Sequence, residues 1–453
     1  MFKHILVQEV AYNGLLRETR RAGHRAAAAW LDQRVGEAAG DRAVSLFAHR
    51  EAKDAYIQAL DALAHLPADD DVRRRQVDVT LKLGRASSYL PSEDVHERLQ
   101  HARKLSEDLG DPERQLRVDT ALALWLYVAG RAAPAVQLAM QCVANADPRL
   151  EELLVVPFNI LGRAAFIMGE YSRCVEMIER SDALGRRFPE HQVGSGLAPV
   201  QIFLGMAYAI MGEVEKGEEL AMDALRSAEA ARNVRHTAAA LMLLGGLRVS
   251  MGHTEGSAEH LHEAARLSEE TGDATQTYIA LGYLGEWHAL RGELDEAANY
   301  LDRALATAAE LGTMLLVPSL EAYRAAIDVR AGRADLAVPR AKHAASLGKE
   351  TRQQSFEGEA LRVLGWALHF AEPEAREEAE SAFRAAVDLH RKGNGRSYYA
   401  RTMTDLAAYL RLIGDDERAA EVEAEVSAVI QDCRFDWMPV SPPSPSMANA
   451  SKA

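Results

Sequence analysis

At 453 residues the chain exceeds what one compact core usually holds, so it is either multidomain or a solenoid. Charged residues make up 26%, aromatics 6%, and the formal net charge is -15, which argues against a nucleic-acid surface over most of the chain and against docking on anionic membranes. The 3 cysteines, Cys142, Cys174 and Cys433, are unclustered; they exclude a disulfide framework and a cysteine-rich zinc site and fit a reducing compartment.

The opening residues, MFKHILVQEVAY, lack the long apolar core and small-residue cleavage site of a signal peptide. No uncharged apolar run approaches the roughly 18 residues a membrane span needs. A cytoplasmic location is the expectation. Residues 1–35 stand apart from the rest of the chain. Phe2, His4, Gln8, Glu9, Val10, Ala11 and Tyr12 lead into a basic helix carrying Leu15, Leu16, Arg20, Arg21 and His24. From the residues alone this is one more amphipathic segment with a solvated basic face.

The same positions resemble the connector that follows the nucleotide-binding module in large bacterial signalling proteins. Those proteins join a class III nucleotide cyclase, an AAA/STAND-type ATPase and a tetratricopeptide-like array. The resemblance continues through Asp41–Ala52, where the array begins, and weakens towards residue 370. It implies that residues 1–35 are the helical remnant of a winged-helix-like connector. It also implies that the chain is the regulatory arm of a cyclase/ATPase-type system. The catalytic parts are missing: there is no G-x-x-x-x-G-K-[ST] phosphate loop and no pair of metal-binding aspartates on a strand. A stand-alone arm, a partner of a separately encoded ATPase or cyclase bound through residues 1–35, and a truncated fragment of such a protein all stay open. A STAND-type transcriptional regulator is a further alternative.

Residues 41–433 read as successive amphipathic helix pairs. Ala43–Leu66 is one long helix or a first pair. Later pairs include Leu150–Gly169 with Tyr171–Phe188, Asn233–Gly252 with Thr254–Gly272, Asp273–Gly292 with Leu294–Gly312, and Thr313–Gly332 with Ala334–Gly348. The turn glycines fall at 130, 169, 212, 252, 292 and 332, in steps of 39, 43, 40, 40 and 40. A step near 40 is longer than the roughly 34 of the common tetratricopeptide repeat. The internal signature is nonetheless that of its helix A: Leu-Gly followed seven residues later by Gly, at Gly162/Gly169, Gly205/Gly212, Gly245/Gly252 and Gly285/Gly292. At Leu364-Gly365 the turn glycine is replaced, and Pro373 stops the helix. The expected fold is all-α: a right-handed superhelical solenoid of about ten tetratricopeptide-like helix pairs. The Pro/Ser-rich residues 434–453 read as a disordered tail.

Few residues suggest chemistry. His260 and His262 are two apart on a helix and point in different directions, so both are expected to be exposed and neither to hold metal. Cys142 and Cys174 fall at close-packed positions of second helices. Paired glutamates such as Glu218-Glu219 and Glu377-Glu378 read as solvated faces. No catalytic residue, cofactor or metal is expected. Trp287 and His288 are expected to pack between helices, while Glu286 and Tyr283 face inward.

The usable signal is the inner surface, lined by first helices. Side chains three before, one after and four after the Leu-Gly glycine should look inward. These are Asn159, Arg163 and Phe166; Ile202, Met206 and Ala209; Met242, Gly246 and Val249; Gly282, Glu286 and Ala289; and Arg362, Trp366 and His369. Either the array winds tightly enough for these helices to touch across the axis, or they line a groove for a peptide, protein segment or small ligand. Candidate groove residues are Asn159, Arg163, Phe166, Met206, Met242, Glu286, Arg362, Trp366 and His369. Protein–protein interaction or ligand sensing without catalysis is the expected function.

Overall fold

Two apolar faces per helix pair, closed by a glycine turn, generate the architecture. The computed structural model describes residues 34–44, 49–87, 92–189 and 200–433. Among them every regular element is helical. Apart from Arg34 and Val35, which are helical, the expected connector over 1–35 lies outside the described residues, as does the expected tail over 434–453.

Residues 34–44 are helical, and α1 (His49–Leu63) follows; residues 45–48, within the stretch expected as one long helix or a first pair, lie outside the described residues. There follow α2 (Asp70–Ala86), α3 (Glu93–Asp108), α4 (Pro112–Val128), α5 (Ala132–Asn145), α6 (Val155–Ile167), α7 (Tyr171–Arg187), α8 (Val200–Ile210), α9 (Val214–Ala230) and α10 (Val234–Ser250). The series continues with α11 (Ser257–Glu270), α12 (Ala274–Leu290), α13 (Leu294–Leu311), α14 (Val317–Arg330), α15 (Ala334–Glu350), α16 (Gln354–Ala371), α17 (Arg376–Lys392), α18 (Arg396–Leu412) and α19 (Asp416–Cys433). The chain divides into two compact units, Met1–Ser88 with Glu93–Ala121, and Tyr89–Ser92 with Leu122–Ala453.

In the first unit Tyr56, Leu60, Val77, Leu83, Val95 and Leu99 form the core. Charged pairs rim it. The Arg114 guanidinium forks onto Asp78 at 2.9 and 3.0 Å, and Lys82 donates to Glu37 and Asp41. Asp69 caps α2 by accepting from the Val72 amide at 2.8 Å, satisfying one of the donors a helix start leaves open.

The second unit carries the regular repeat. α13 shows why such sequences become second helices: Ala297, Leu301, Ala304 and Ala308 are fully buried along one stripe. Gly285 of α12 lets that stripe approach, since a Cβ there would meet the Leu301 side chain at 2.7 Å. Glycines 130, 169, 212, 252, 292 and 332 all have positive φ, the conformation that ends each first helix.

Two first helices start later than their apolar pattern. Residues Pro148–Leu154 form a 3-10 turn, with Leu150 off helical geometry, and α6 begins only at Val155. α14 begins at Val317, after Leu316 at φ 61°. Both carry a proline, Pro157 or Pro318, in the first turn, where its missing amide hydrogen breaks no helical hydrogen bond.

Successive turns of the superhelix touch. Thr313 Oγ1 donates to the Val128 carbonyl at 2.6 Å, across 185 residues, and the Tyr171 hydroxyl shares a 2.6 Å hydrogen bond with Ser355 Oγ across 184. At 40 residues per pair, 185 residues is about four and a half pairs per superhelical turn. The seam runs through the glycine turns: Gly130 packs on Met314 and Leu315, Gly169 on Ser355 and Gly393, and Gly212 on Cys433.

Candidate functional site

The first helices converge on the axis of the second unit and leave a cavity of about 160 Å³. Its walls are mostly apolar: Phe166 of α6; Ile202, Phe203 and Met206 of α8; Met242 of α10; Ile279 and Tyr283 of α12; Leu320 and Tyr323 of α14. Phe166 and Phe203 meet edge to face at 5.8 Å, a favoured arrangement that stiffens one wall. The Arg163 guanidinium lies 4.6 Å over the Phe203 ring. Farther along the wall, Arg235 Nε and Nη2 donate to Asp273 Oδ2 at 2.8 and 2.6 Å. Asp273 also caps α12, accepting from the Gln276 amide at 3.0 Å, so its carboxylate is held by the helix start and the arginine together.

Beyond Tyr283, Tyr323 and Tyr398, which line the cavity, lies a buried charged cluster. Arg362 donates to Asp405 Oδ2 at 2.6 Å and to Glu359 Oε2 at 3.0 Å. Arg401 Nη1 is 3.3 Å from Glu359 Oε2 and 3.8 Å from Glu286 Oε1, and its Nη2 donates to the Ser250 carbonyl at 2.9 Å. Burial alone would raise Glu359, yet Arg362 and Arg401 hold it down at about 2. Burial pushes the Glu286 carboxyl up, only partly offset by Arg401, and raises Asp405 as well. Burial depresses His390 to about 4, against the pull of Glu359.

The inward-facing candidates separate into four groups. Arg163, Phe166, Met206 and Met242 line the cavity, together with Ile202 and Gly282. Asn159 and Glu286 do not line it but are buried at 3% and 7% exposure, and Asn159 Oδ1 and Glu286 Oε2 have no hydrogen-bond partner among the described residues. Arg362 belongs to the charged cluster. Trp366 is not in a groove: it is buried in the helix core, edge to face with Phe383 at 5.5 Å. His369 likewise packs on Tyr409 at 5.4 Å. Ala209 and Val249 are core residues too.

The inward offset agrees with the expected one at three before the glycine, where Ile202, Met242 and Gly282 line the cavity, and at one after, where Arg163 and Met206 do; elsewhere it differs. Positions six, three and two before the glycine reach the cavity, as Ile279, Gly282 and Tyr283 do in α12, whereas of the positions four after only Phe166 does. The cavity sits against the C-terminal ends of α4 and α6 and chiefly the N-terminal halves of α10, α12 and α14. Phe203, Tyr323 and Tyr398 were not among the groove candidates; the last two lie on helices without a Leu-Gly anchor to count from, while Tyr283, expected to face inward, does line the cavity. A second difference concerns His260. His260 is half-buried, whereas His262 is exposed as expected and lies edge to face with Tyr300 at 6.2 Å. Trp287 Nε1 donates to the Thr254 carbonyl at 2.8 Å and His288 stacks on Tyr300 at 5.0 Å, so both pack between helices. Among the described residues no group of three or more His, Cys, Asp or Glu is arranged to hold a metal ion. None of the described helices is long and apolar enough to cross a membrane.

Stacked helix pairs, glycine turns and an axial cavity define the class: a tetratricopeptide-like superhelical solenoid. No known family and no curated relative matches the sequence. Among solved structures, the chain is similar to a Rap protein complexed with competence and sporulation factor, with TM-score 0.61 and 13% identity, over 81% of this chain and 99% of that one. It also matches the apo quorum sensor NprR from B. thuringiensis, at TM-score 0.46 and 12% identity over 80% and 100% of the two chains. A third match is a STAND signal-transduction ATPase with a tetratricopeptide repeat sensor from Pyrococcus horikoshii, at TM-score 0.34 and 12% identity over 85% and 54%. At these identities only the first likeness bears on this chain, and what it shows is the fold.

Proposed function

We propose that this chain is a non-catalytic binding protein that seats one anchor residue of a short peptide in the axial cavity, as the sensing arm of a signalling system. The observation that carries the reading is the cavity itself. About 160 Å³ is close to the volume that holds a single benzene ring in a protein interior, so it matches one aromatic or branched side chain. Met206 and Met242, which both line the cavity, can adapt to different anchors. The similar Rap structure is a complex with competence and sporulation factor, which supports a peptide as the ligand class. The resemblance of residues 1–66 to the arm of cyclase–ATPase signalling proteins supports the signalling context.

The test is an NMR titration of the purified chain with pools of synthetic pentapeptides. At least one pool is expected to shift resonances of cavity methyls, and Met242→Trp, which fills the cavity, should abolish the shift. Absence of any shift, or a shift that survives Met242→Trp, contradicts the reading. The same preparation is expected to hydrolyse ATP and make cyclic nucleotide no faster than a contaminant control.

A further inference from the structure

We infer that the end of the cavity bounded by Tyr283, Tyr323 and Tyr398 receives a positively charged group, an ammonium or guanidinium carried beside the apolar anchor, with Glu286 as its counter-charge. The inference rests on the ligand-binding reading and adds the chemical class of the ligand.

The charge count of the buried cluster is the starting point. Glu286, Glu359 and Asp405 share it with two guanidiniums, Arg362 and Arg401. His390 stands 3.7 Å from Glu359 but is held neutral by burial, its pKa depressed to about 4. With all three carboxylates ionised the cluster is one positive charge short.

The shortage falls on Glu286. Glu359 is reached by both arginines, and Asp405 is bonded to Arg362 at 2.6 Å. Glu286 is nearest Arg401, at 3.8 Å, beyond hydrogen-bond range, with Arg362 acting on it more weakly. Its Oε2 has no hydrogen-bond partner among the described residues, although the side chain is 9% exposed. A buried carboxylate in that position must take up a proton or find a cation. Burial does push Glu286 towards the protonated form.

Glu286 adjoins the cavity. Gly282 and Tyr283, one turn earlier on α12, line it, and the Tyr323 hydroxyl both lines it and lies close enough to favour the ionised form of Glu286. A ligand cation entering here would complete the charge count. It would also lie beside three tyrosines, whose ring faces attract cations in desolvated sites. The volume leaves room for one ring with a short charged extension and little else.

Three small phenyl compounds that differ in charge test this: phenethylamine, benzyl alcohol and 3-phenylpropionate, each titrated against the full chain by NMR. Phenethylamine is expected to bind roughly tenfold or more tighter than 3-phenylpropionate, with benzyl alcohol between them. In E286Q the preference should shrink to within about threefold while benzyl alcohol binding is unchanged, which shows the cavity intact. If E286Q does not fold, the ranking on the native chain decides alone. Tighter binding of 3-phenylpropionate, or a preference for phenethylamine undiminished in E286Q, overturns the inference and leaves the binding reading standing. Failure of all three probes overturns both.

Discussion

Gly393→Ala isolates the contact between superhelical turns. Gly393 has φ -81°, a conformation alanine adopts freely, so the backbone itself resists nothing. The obstacle is steric: a Cβ on Gly393 points at the Gly169 carbonyl oxygen, far inside any real contact. One side must recede by about 1 Å to reach van der Waals separation, and neither is a flexible side chain. Overpacking of this kind costs about 1–3 kcal/mol, or a fall of roughly 2–6 °C in Tm for a unit of this size. Gly292→Ala is the comparison. It has φ +80° and nothing within 4 Å, so its cost is the left-handed backbone alone, about 1 kcal/mol. Thermal and urea unfolding followed by circular dichroism at 222 nm measure both. If Gly393→Ala is as stable as the native chain, the seam is not a real contact and the superhelical turns do not close on one another.

Two further outcomes concern the buried groups. His390 has its folded pKa depressed to about 4 from 6.5, so the unfolded chain binds the extra proton between those values; stability contributed by neutral His390 is present above about pH 6.5 and lost as pH falls towards 4. The loss should be about 3 kcal/mol and should disappear in His390→Gln, read from urea unfolding at pH 7 and pH 4; an unchanged pH slope in the variant would contradict the assignment. Cys174 is fully buried and its thiol is pushed up to about 12, so it should react with Ellman's reagent only under denaturing conditions; prompt labelling of the native chain at position 174 would contradict its packing.

The repeat was legible because its causes are local. A glycine that ends a helix and a Leu-Gly that admits a neighbour recur within one pair, and the positive φ at Gly252 or Gly292 is the physical content of that signal. Helix starts at Pro157 and Pro318 were equally local; reading the prolines as first-turn residues places them correctly. What could not be read is whatever depends on contacts between superhelical turns. Nothing near Thr313 points to Val128, 185 residues earlier. The charged cluster was hidden for the same reason. Glu359 and Arg401 look like ordinary solvated charges until α16 and α18 are brought beside α12 and α10. Trp366 was misplaced because an inward offset counted from one anchor says nothing about how far along the helix the cavity extends.

The seam gives each repeat two sets of neighbours, and that changes what kind of polymer the second unit is. An open solenoid behaves as a one-dimensional chain whose repeats can be removed, duplicated or melted from an end. Here Gly130 is registered to Leu315 and Gly169 to Ser355 and Gly393. Deleting one pair between them would shift every later pair by a whole step against the turn below. Modularity is thereby traded for cooperativity: the second unit should evolve by substitution rather than by repeat number, and melt as a block rather than fray.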